Sequence, residues 1–248
     1  MDYRQQKISA GSFDLNKFLF GGYETDIITT LYGPGASGKT NLCILVTVSQ
    51  AKKGNKVVYI DTEGGFSVDR VRQLLNTNKE ETEKVLKNIF LLKPTSFEEQ
   101  ELDFGKMLTY VKKGDISLIV VDSIAMLYRL ELGDAIRTKQ DEKIREVNRK
   151  LASQLRKLNE IARKQNIPII VTNQVYSEFL TDEEIKSGTR RGVSMVGGDL
   201  LKYWSKTLIE LQNNRGKRKL ILRKHRSMRE KELSFEIINS GIRKKGWI

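Results

Sequence analysis

Residues 33–40 read GPGASGKT, and this octet constrains the fold more than any other stretch of the chain. Two glycines separated by four residues and followed by Lys and Thr form the pattern of a phosphate-binding P-loop. The pattern works in one setting only. A strand must deliver the loop and a helix must open at its end, so that backbone N–H groups and the helix N-terminus converge on phosphate. Both flanks fit: Ile27–Tyr32 reads as a strand, and a helix-like stretch runs from Lys39 to Lys53. The octet therefore predicts an α/β unit that binds a nucleoside triphosphate, ATP with Mg²⁺. The expected contacts are Gly33, Pro34, Gly35, Ala36, Ser37, Gly38, Lys39, Thr40 and Asn41. Lys39 is expected to reach the β- and γ-phosphates, and the Thr40 hydroxyl to ligate Mg²⁺.

A P-loop also needs a carboxylate that holds the metal through water. Leu118–Asp122 is an apolar strand ending in Asp, so Asp122 is the expected supplier. A further strand, Lys56–Asp61, runs into Thr62, Glu63 and two glycines. Parallel sheets place their sites at the carboxyl ends of strands, so Glu63, Asp122 and the P-loop should meet at one rim. The expectation is an extra strand between the P-loop strand and the Asp122 strand, with Glu63 at its end orienting the attacking water as a base. Asp61, nearer the strand, is the competing candidate. Pro168–Asn173 is another buried strand, and the Gln174 amide after it suits a hydrogen bond to the γ-phosphate or the attacking water. The expected catalytic set is Glu63, Lys39 and Gln174.

The rest of the chain alternates in the same way. Val68–Leu75 and Phe97–Lys112 read as helices and Ile89–Leu92 as a strand. Ile144, Val147, Leu151, Leu155, Leu158 and Ala162 recur at three- and four-residue steps, one apolar face of a long helix. Short apolar strands between helices imply a parallel sheet covered on both faces. After Gly198 the pattern changes. Thr207–Gln212 and Lys219–Arg223 flank NNRGKR, a hairpin with a basic tip, and Leu233–Ile238 is one more strand. The fold class is α/β: a mainly parallel sheet flanked by helices, with antiparallel strands added at the C-terminal edge. A length of 248 residues suits a single domain over residues 1–248. No apolar run approaches the roughly 20 residues needed to cross a bilayer, so no membrane partner is expected. MDYRQQKIS lacks the apolar core of a secretory signal. Cys43, the single cysteine, excludes an intrachain disulfide and suits a reducing, cytoplasmic location. It is expected on a buried helix face, with Tyr203 and Trp204 packed against the core.

Charge is unevenly spread. The net charge is +13, and residues 202–248 carry 14 Lys/Arg against 4 Glu, a surplus of +10. That asymmetry suits a polyanion partner, because Lys and Arg release counterions from phosphates. A Lys-rich solubility surface explains the charge equally well, and the phosphate could be that of ATP.

On these motifs the chain resembles the RecA/RadA recombinase superfamily, and within it the archaeal RadB paralogues. The segment from Ile8-Ser-Ala-Gly11 through Leu15 to Gly21-Gly22 is similar to the family's lead-in to the P-loop strand. Tyr59-Ile-Asp-Thr-Glu63-Gly64 resembles the motif whose Glu is the catalytic base. Val120-Val-Asp122-Ser123, followed by Leu127-Tyr128-Arg129, resembles the metal-binding strand. Thr172-Asn173-Gln174-Val175 resembles the strand end whose Gln couples nucleotide state to DNA binding. The resemblance implies a RecA-like P-loop NTPase core, a slow, DNA-dependent type of ATPase, and a role in homologous recombination and DNA repair. It implies a first DNA-binding loop over Arg129–Gln140 and a second over Tyr176–Val196. Arg129, Arg190 and Arg191 would then contact DNA, single-stranded by preference, with Tyr176 and Phe179 available for stacking. The hairpin residues Arg215, Lys217 and Arg218 join the expected DNA contacts on their charge. The implied partners are DNA, a RadA-type recombinase, other repair proteins, and further copies of the chain with ATP at the interface.

Two departures qualify the resemblance. Seven residues precede Ile8, too few for the helical N-terminal DNA-binding domain of full recombinases, so autonomous strand exchange is not expected. Asp26 stands where the lead-in usually carries Gly. A second likeness runs from Leu222 to Met228, LRKHRSM, followed by Phe235-Glu-Ile237, which is similar to the KaiC and DnaB-type segment whose Lys-x-Arg reaches a neighbour's ATP. It implies that Lys224 and Arg226 contact nucleotide in trans, with His225 a bystander. The alternative it keeps open is a KaiC-like ATPase with a signalling or scaffold role and no DNA binding.

Overall fold

The P-loop strand β3 (Ile28–Gly33) lies inside a ten-stranded sheet; the computed structural model describes residues 6–177, 193–195 and 197–246. On one side of β3 follow β7 (Ile169–Ser177), β6 (Ile116–Asp122), β4 (Lys56–Asp61) and β5 (Ile89–Leu92), every pairing parallel. On the other side β9 (Ser205–Asn214) also joins in parallel. Beyond it β10 (Lys217–Lys224), β11 (Lys231–Ile238) and β12 (Gly241–Lys244) continue as an antiparallel meander. The short β8 (Val193–Met195) pairs with the end of β7. A separate ribbon joins β1 (Lys7–Ile8) to β2 (Tyr23–Glu24).

Both faces of the sheet are covered, as continuous apolar strands require. Side chains alternate across a strand, and β4 shows the result: Val57 and Tyr59 enter one core, Val58 and Ile60 the other. The first core holds α1 (Phe13–Phe18), α2 (Lys39–Ala51), α3 (Val68–Leu75) and α4 (Lys79–Leu86). The second holds α5 (Phe97–Lys112), α6 (Met126–Arg137), α7 (Asp141–Gln165) and α8 (Gly198–Trp204). Helix starts follow side-chain chemistry: Ser67, Asn78 and Ser96 each accept a hydrogen bond from a first-turn N–H of α3, α4 and α5. Cys43 is buried on α2, as expected.

Three expectations need correction, and one is borne out. The strand between β3 and β6 is β7, which ends in Gln174; the Glu63 strand, β4, lies on the far side of β6. Order along the chain does not fix order across a sheet. The expected hairpin is β9–β10, whose first strand also joins β3 in parallel. Residues expected as a loop over Arg129–Gln140 are largely helix: α6 is anchored by buried Leu127 and Tyr128, which the polar residues after them conceal in a composition count. Tyr203 is 70% exposed, while Trp204 packs on the second core. Leu201 faces inward on α8, and two residues further a 3.6-residue period points Tyr203 outward.

Candidate nucleotide site

The P-loop sits where the octet requires, between β3 and α2. Gly38 caps α2 with φ 109°, a conformation that a side chain at this turn would oppose. Within the loop, Lys39 is buried, and its Nζ donates to the carbonyls of Gly33 at 2.9 Å and Pro34 at 3.0 Å. Burial lowers the Lys39 pKa, and the nearby carboxylates of Glu63 and Asp122 pull it back up. The Ala36 carbonyl accepts from Asn213 Nδ2 at 3.1 Å, so the C-terminal hairpin touches the loop.

Asp122 ends β6 and is buried. Tyr59 Oη donates to its Oδ2 at 2.8 Å and Thr172 Oγ1 to its Oδ1 at 2.5 Å, so both oxygens are fixed. Burial raises the Asp122 pKa, while Thr172, Thr40 and Tyr59 oppose the rise by hydrogen bonding. Thr62 clasps the following residue: its Oγ1 donates to the Ser123 carbonyl at 2.9 Å and accepts from the Ser123 N–H at 2.7 Å. Tyr59, Thr62 and Thr172 are positioning residues that the motifs did not single out. Each lies on or next to a motif strand, and only sheet pairing shows that it faces Asp122 or Ser123.

The turn after β4 separates the two candidate bases. Asp61 is buried, and its two oxygens accept the N–H groups of Gly65 and Phe66, each at 3.0 Å. Asp61 folds the turn. Glu63 lies open at the rim, and Gln174 Nε2 donates to its carboxylate at 3.2 and 3.4 Å. Its pKa is raised, first by the protein packed around the carboxylate and then by the charge of Asp122. The glycine at 65 has a specific cause. A Cβ there would lie 3.0 Å from the Thr40 methyl, so the turn runs against the residue expected to hold the metal.

A cavity of about 280 Å³ opens over the loop, lined by Gly38, Lys39, Thr40, Glu63 and Gln174 together with Arg218 and Ile237. The expected nucleotide residues from three separate strand ends thus converge. The donor set fits MgATP. Thr40 and Asp122 offer hard oxygen ligands, and no group of three His, Cys, Asp or Glu among the described residues could hold an ion unaided. Phosphate oxygens would complete such a site.

Arg218, expected among the DNA contacts of the hairpin, lines this cavity. Arg215 and Lys217 are exposed at the tip, and Lys219 pairs with Glu232. Arg129 is exposed on α6. Arg190, Arg191 and Phe179 lie outside the described residues.

Lys224 and Arg226 occupy the opposite end of the sheet, because β10 runs against β9 and so against β3. Lys224 Nζ donates to the carbonyls of Lys202 at 2.7 Å and Ser205 at 2.9 Å. Arg226 pairs with Asp26 at 2.7 Å and with buried Glu24 at 3.2 Å. The two cations are tied within the chain, away from its own P-loop. The Asp26 departure is explained here: it keeps a left-handed φ of 62°, which Asp tolerates better than most residues, and it holds Arg226.

Comparisons with known proteins agree with this geometry. The family model described as Rad51 matches residues 3–245. A DNA repair and recombination protein RadB from Methanosphaera stadtmanae is 38% identical over 232 residues, covering 92% of each chain. The RadB of Methanococcus maripaludis strain C7 is 41% identical, covering 92% of this chain and 96% of its own. That of Methanocaldococcus jannaschii is 38% identical, covering 92% and 98%. With the P-loop, Glu63, Asp122 and Gln174 at one rim of a mostly parallel sheet, and a family match over nearly the full length, the chain belongs to the Rad51 family.

Proposed function

We propose that this chain is an ATP- and DNA-binding recombinase paralogue that serves homologous recombination and DNA repair in the cytoplasm, with slow, DNA-modulated hydrolysis of MgATP. The observation that carries the reading is the bond from Gln174 to Glu63 above the P-loop. Lys39 would hold the β- and γ-phosphates, and Thr40 with Asp122 the Mg²⁺. Bound MgATP supplies the transferable phosphoryl group and a cation that offsets its charge. Glu63 accepts a proton from water at the rim, and Gln174 fixes the orientation of that carboxylate. Gln174 also leads by sequence directly into the segment that carries Arg190 and Arg191. Gln174 is thereby the side chain through which a change at the γ-phosphate would be passed to that segment.

The names of the relatives favour this reading over a KaiC-like role without DNA. A RadA-type recombinase is the natural protein partner. A homo-oligomer that used Lys224 and Arg226 in trans would first have to release both from the intrachain bonds described above. The deciding experiment is single-stranded DNA binding over a salt series. Each phosphate contact adds roughly 0.7 to the slope of log affinity against log salt. A slope equivalent to several contacts is expected; a flat line would remove DNA from the function.

A further inference from the structure

Three cations on the outer strands pair with carboxylates. Lys219 binds Glu232, Arg223 binds Glu210 and Glu230, and Arg243 binds Glu236. Arg218 differs. No carboxylate among the described residues pairs with it, and its Nε is buried without a hydrogen-bond partner. A buried donor left unmade is costly, and natural structures keep such groups where something else will satisfy them.

Its surroundings say what that is. The Arg218 Cδ lies 3.9 Å from where a Cβ on Gly38 would stand, at the N-terminus of α2. Its side chain lines the cavity that holds Lys39 and Thr40. A guanidinium is a planar fork of donors that matches phosphate oxygens two at a time. The cavity of about 280 Å³ lies over the P-loop itself, with Lys39, Thr40 and Glu63 in its wall. On its other side Arg218 borders a basic hollow of about 500 Å³ with Lys217, Lys219 and Lys245. The hairpin is also bound to the loop through Asn213.

We propose that Arg218 binds the phosphates of the nucleotide held by its own chain's P-loop, as a cation supplied in cis by the C-terminal hairpin. This rests on the reading that the P-loop binds MgATP. With Lys224 and Arg226 tied at the far end of the sheet, Arg218 is the hairpin cation that reaches the loop.

Calorimetric titration with MgATP at two salt concentrations tests it, using wild type, Lys39→Ala, Arg218→Met and Arg218→Lys. Met keeps the unbranched stem without the charge. Arg218→Met should bind MgATP roughly tenfold more weakly, with a reduced dependence on salt. Arg218→Lys should recover part of the loss, because it restores charge but not the fork. Wild-type affinity in Arg218→Met overturns the proposal. So does a loss with unchanged salt dependence, which would place the contact on the base or ribose. Should Arg218→Met fail to fold, Arg218→Lys decides: about threefold weaker binding is expected, and wild-type binding overturns the proposal. Failure of the wild type to bind, or no effect of Lys39→Ala, would instead sink the ATP reading itself.

Discussion

Two carboxylates two residues apart, Asp61 and Glu63, show what hydrogen bonding decides at the scale of a residue. Asp61 ends the strand that Glu63 follows, and sequence left the choice between them open. Asp61 spends its oxygens on Gly65 and Phe66, so it shapes the turn. Glu63 instead accepts the Gln174 amide and stays exposed at the rim. Glu63→Gln should therefore bind MgATP within about twofold of wild type, while single-turnover hydrolysis falls by roughly 10²–10⁴. Wild-type turnover in that variant would move the base elsewhere. The raised pKa of Glu63 adds a pH signature. A base works only when ionised, so a raised pKa moves the acid limb of the hydrolysis profile upward. Activity should begin to fall, as pH drops, above the value ordinary for glutamate, and Glu63→Gln should lose that limb. Asp61→Asn should instead cost stability, on the order of 1–3 kcal/mol, because one of the two N–H groups it accepts, that of Phe66 being buried, loses its acceptor. A melting curve unchanged from wild type would contradict the turn-folding role.

Single elements were legible where one face or one loop carried the signal. The octet located β3 and α2, apolar periodicity located α7, and strand ends located Asp122 and Gln174. The errors came from information that lies between elements. Nothing in the run Ile169–Ser177 says that it will sit between β3 and β6, since only packing chooses strand order. Likewise α6 is a helix because Leu127 and Tyr128 find a core to enter, which their polar followers conceal. Arg226 illustrates the same limit. The resemblance implied that it reaches a neighbour's nucleotide, and within its own chain the fold brings it to Glu24, 3% exposed, and to Asp26. Arg226→Ala should therefore act through stability. It leaves a buried carboxylate short of its partner, at a cost of about 1–3 kcal/mol given the partial exposure of Arg226 itself. Denaturant midpoints measure this directly, and an unchanged midpoint would mean that the pair contributes nothing to the fold.

The whole molecule has two ends, set by strand direction. β9 runs parallel to β3, so the β9–β10 turn emerges at the same rim as the P-loop, Glu63 and Gln174. The far rim gathers Glu24, Asp26, Lys224 and Arg226, where acids offset the bases. Of the +10 surplus after residue 201, the part carried by Arg215, Lys217 and Arg218 thus adds to the nucleotide rim. Summed charge could show that the C-terminal region is basic, but only topology shows which rim receives it. The consequence is a division along the hairpin: Arg218 turns toward the loop, while Arg215 and Lys217 remain exposed at the tip. If the tip meets a DNA backbone, changing Arg215 and Lys217 together to Ala should flatten the salt dependence of single-stranded DNA binding. The change is up to about 0.7 for each phosphate that loses its cation, so about 1.4 when both side chains touch phosphate. Affinity at low salt should fall with it, and the difference from wild type should shrink as salt rises, because released counterions cease to favour binding. A fall in affinity with the slope intact would mean that the tip matters through shape rather than charge. An unchanged slope and affinity would move the DNA surface off the hairpin, to the other segments at this rim.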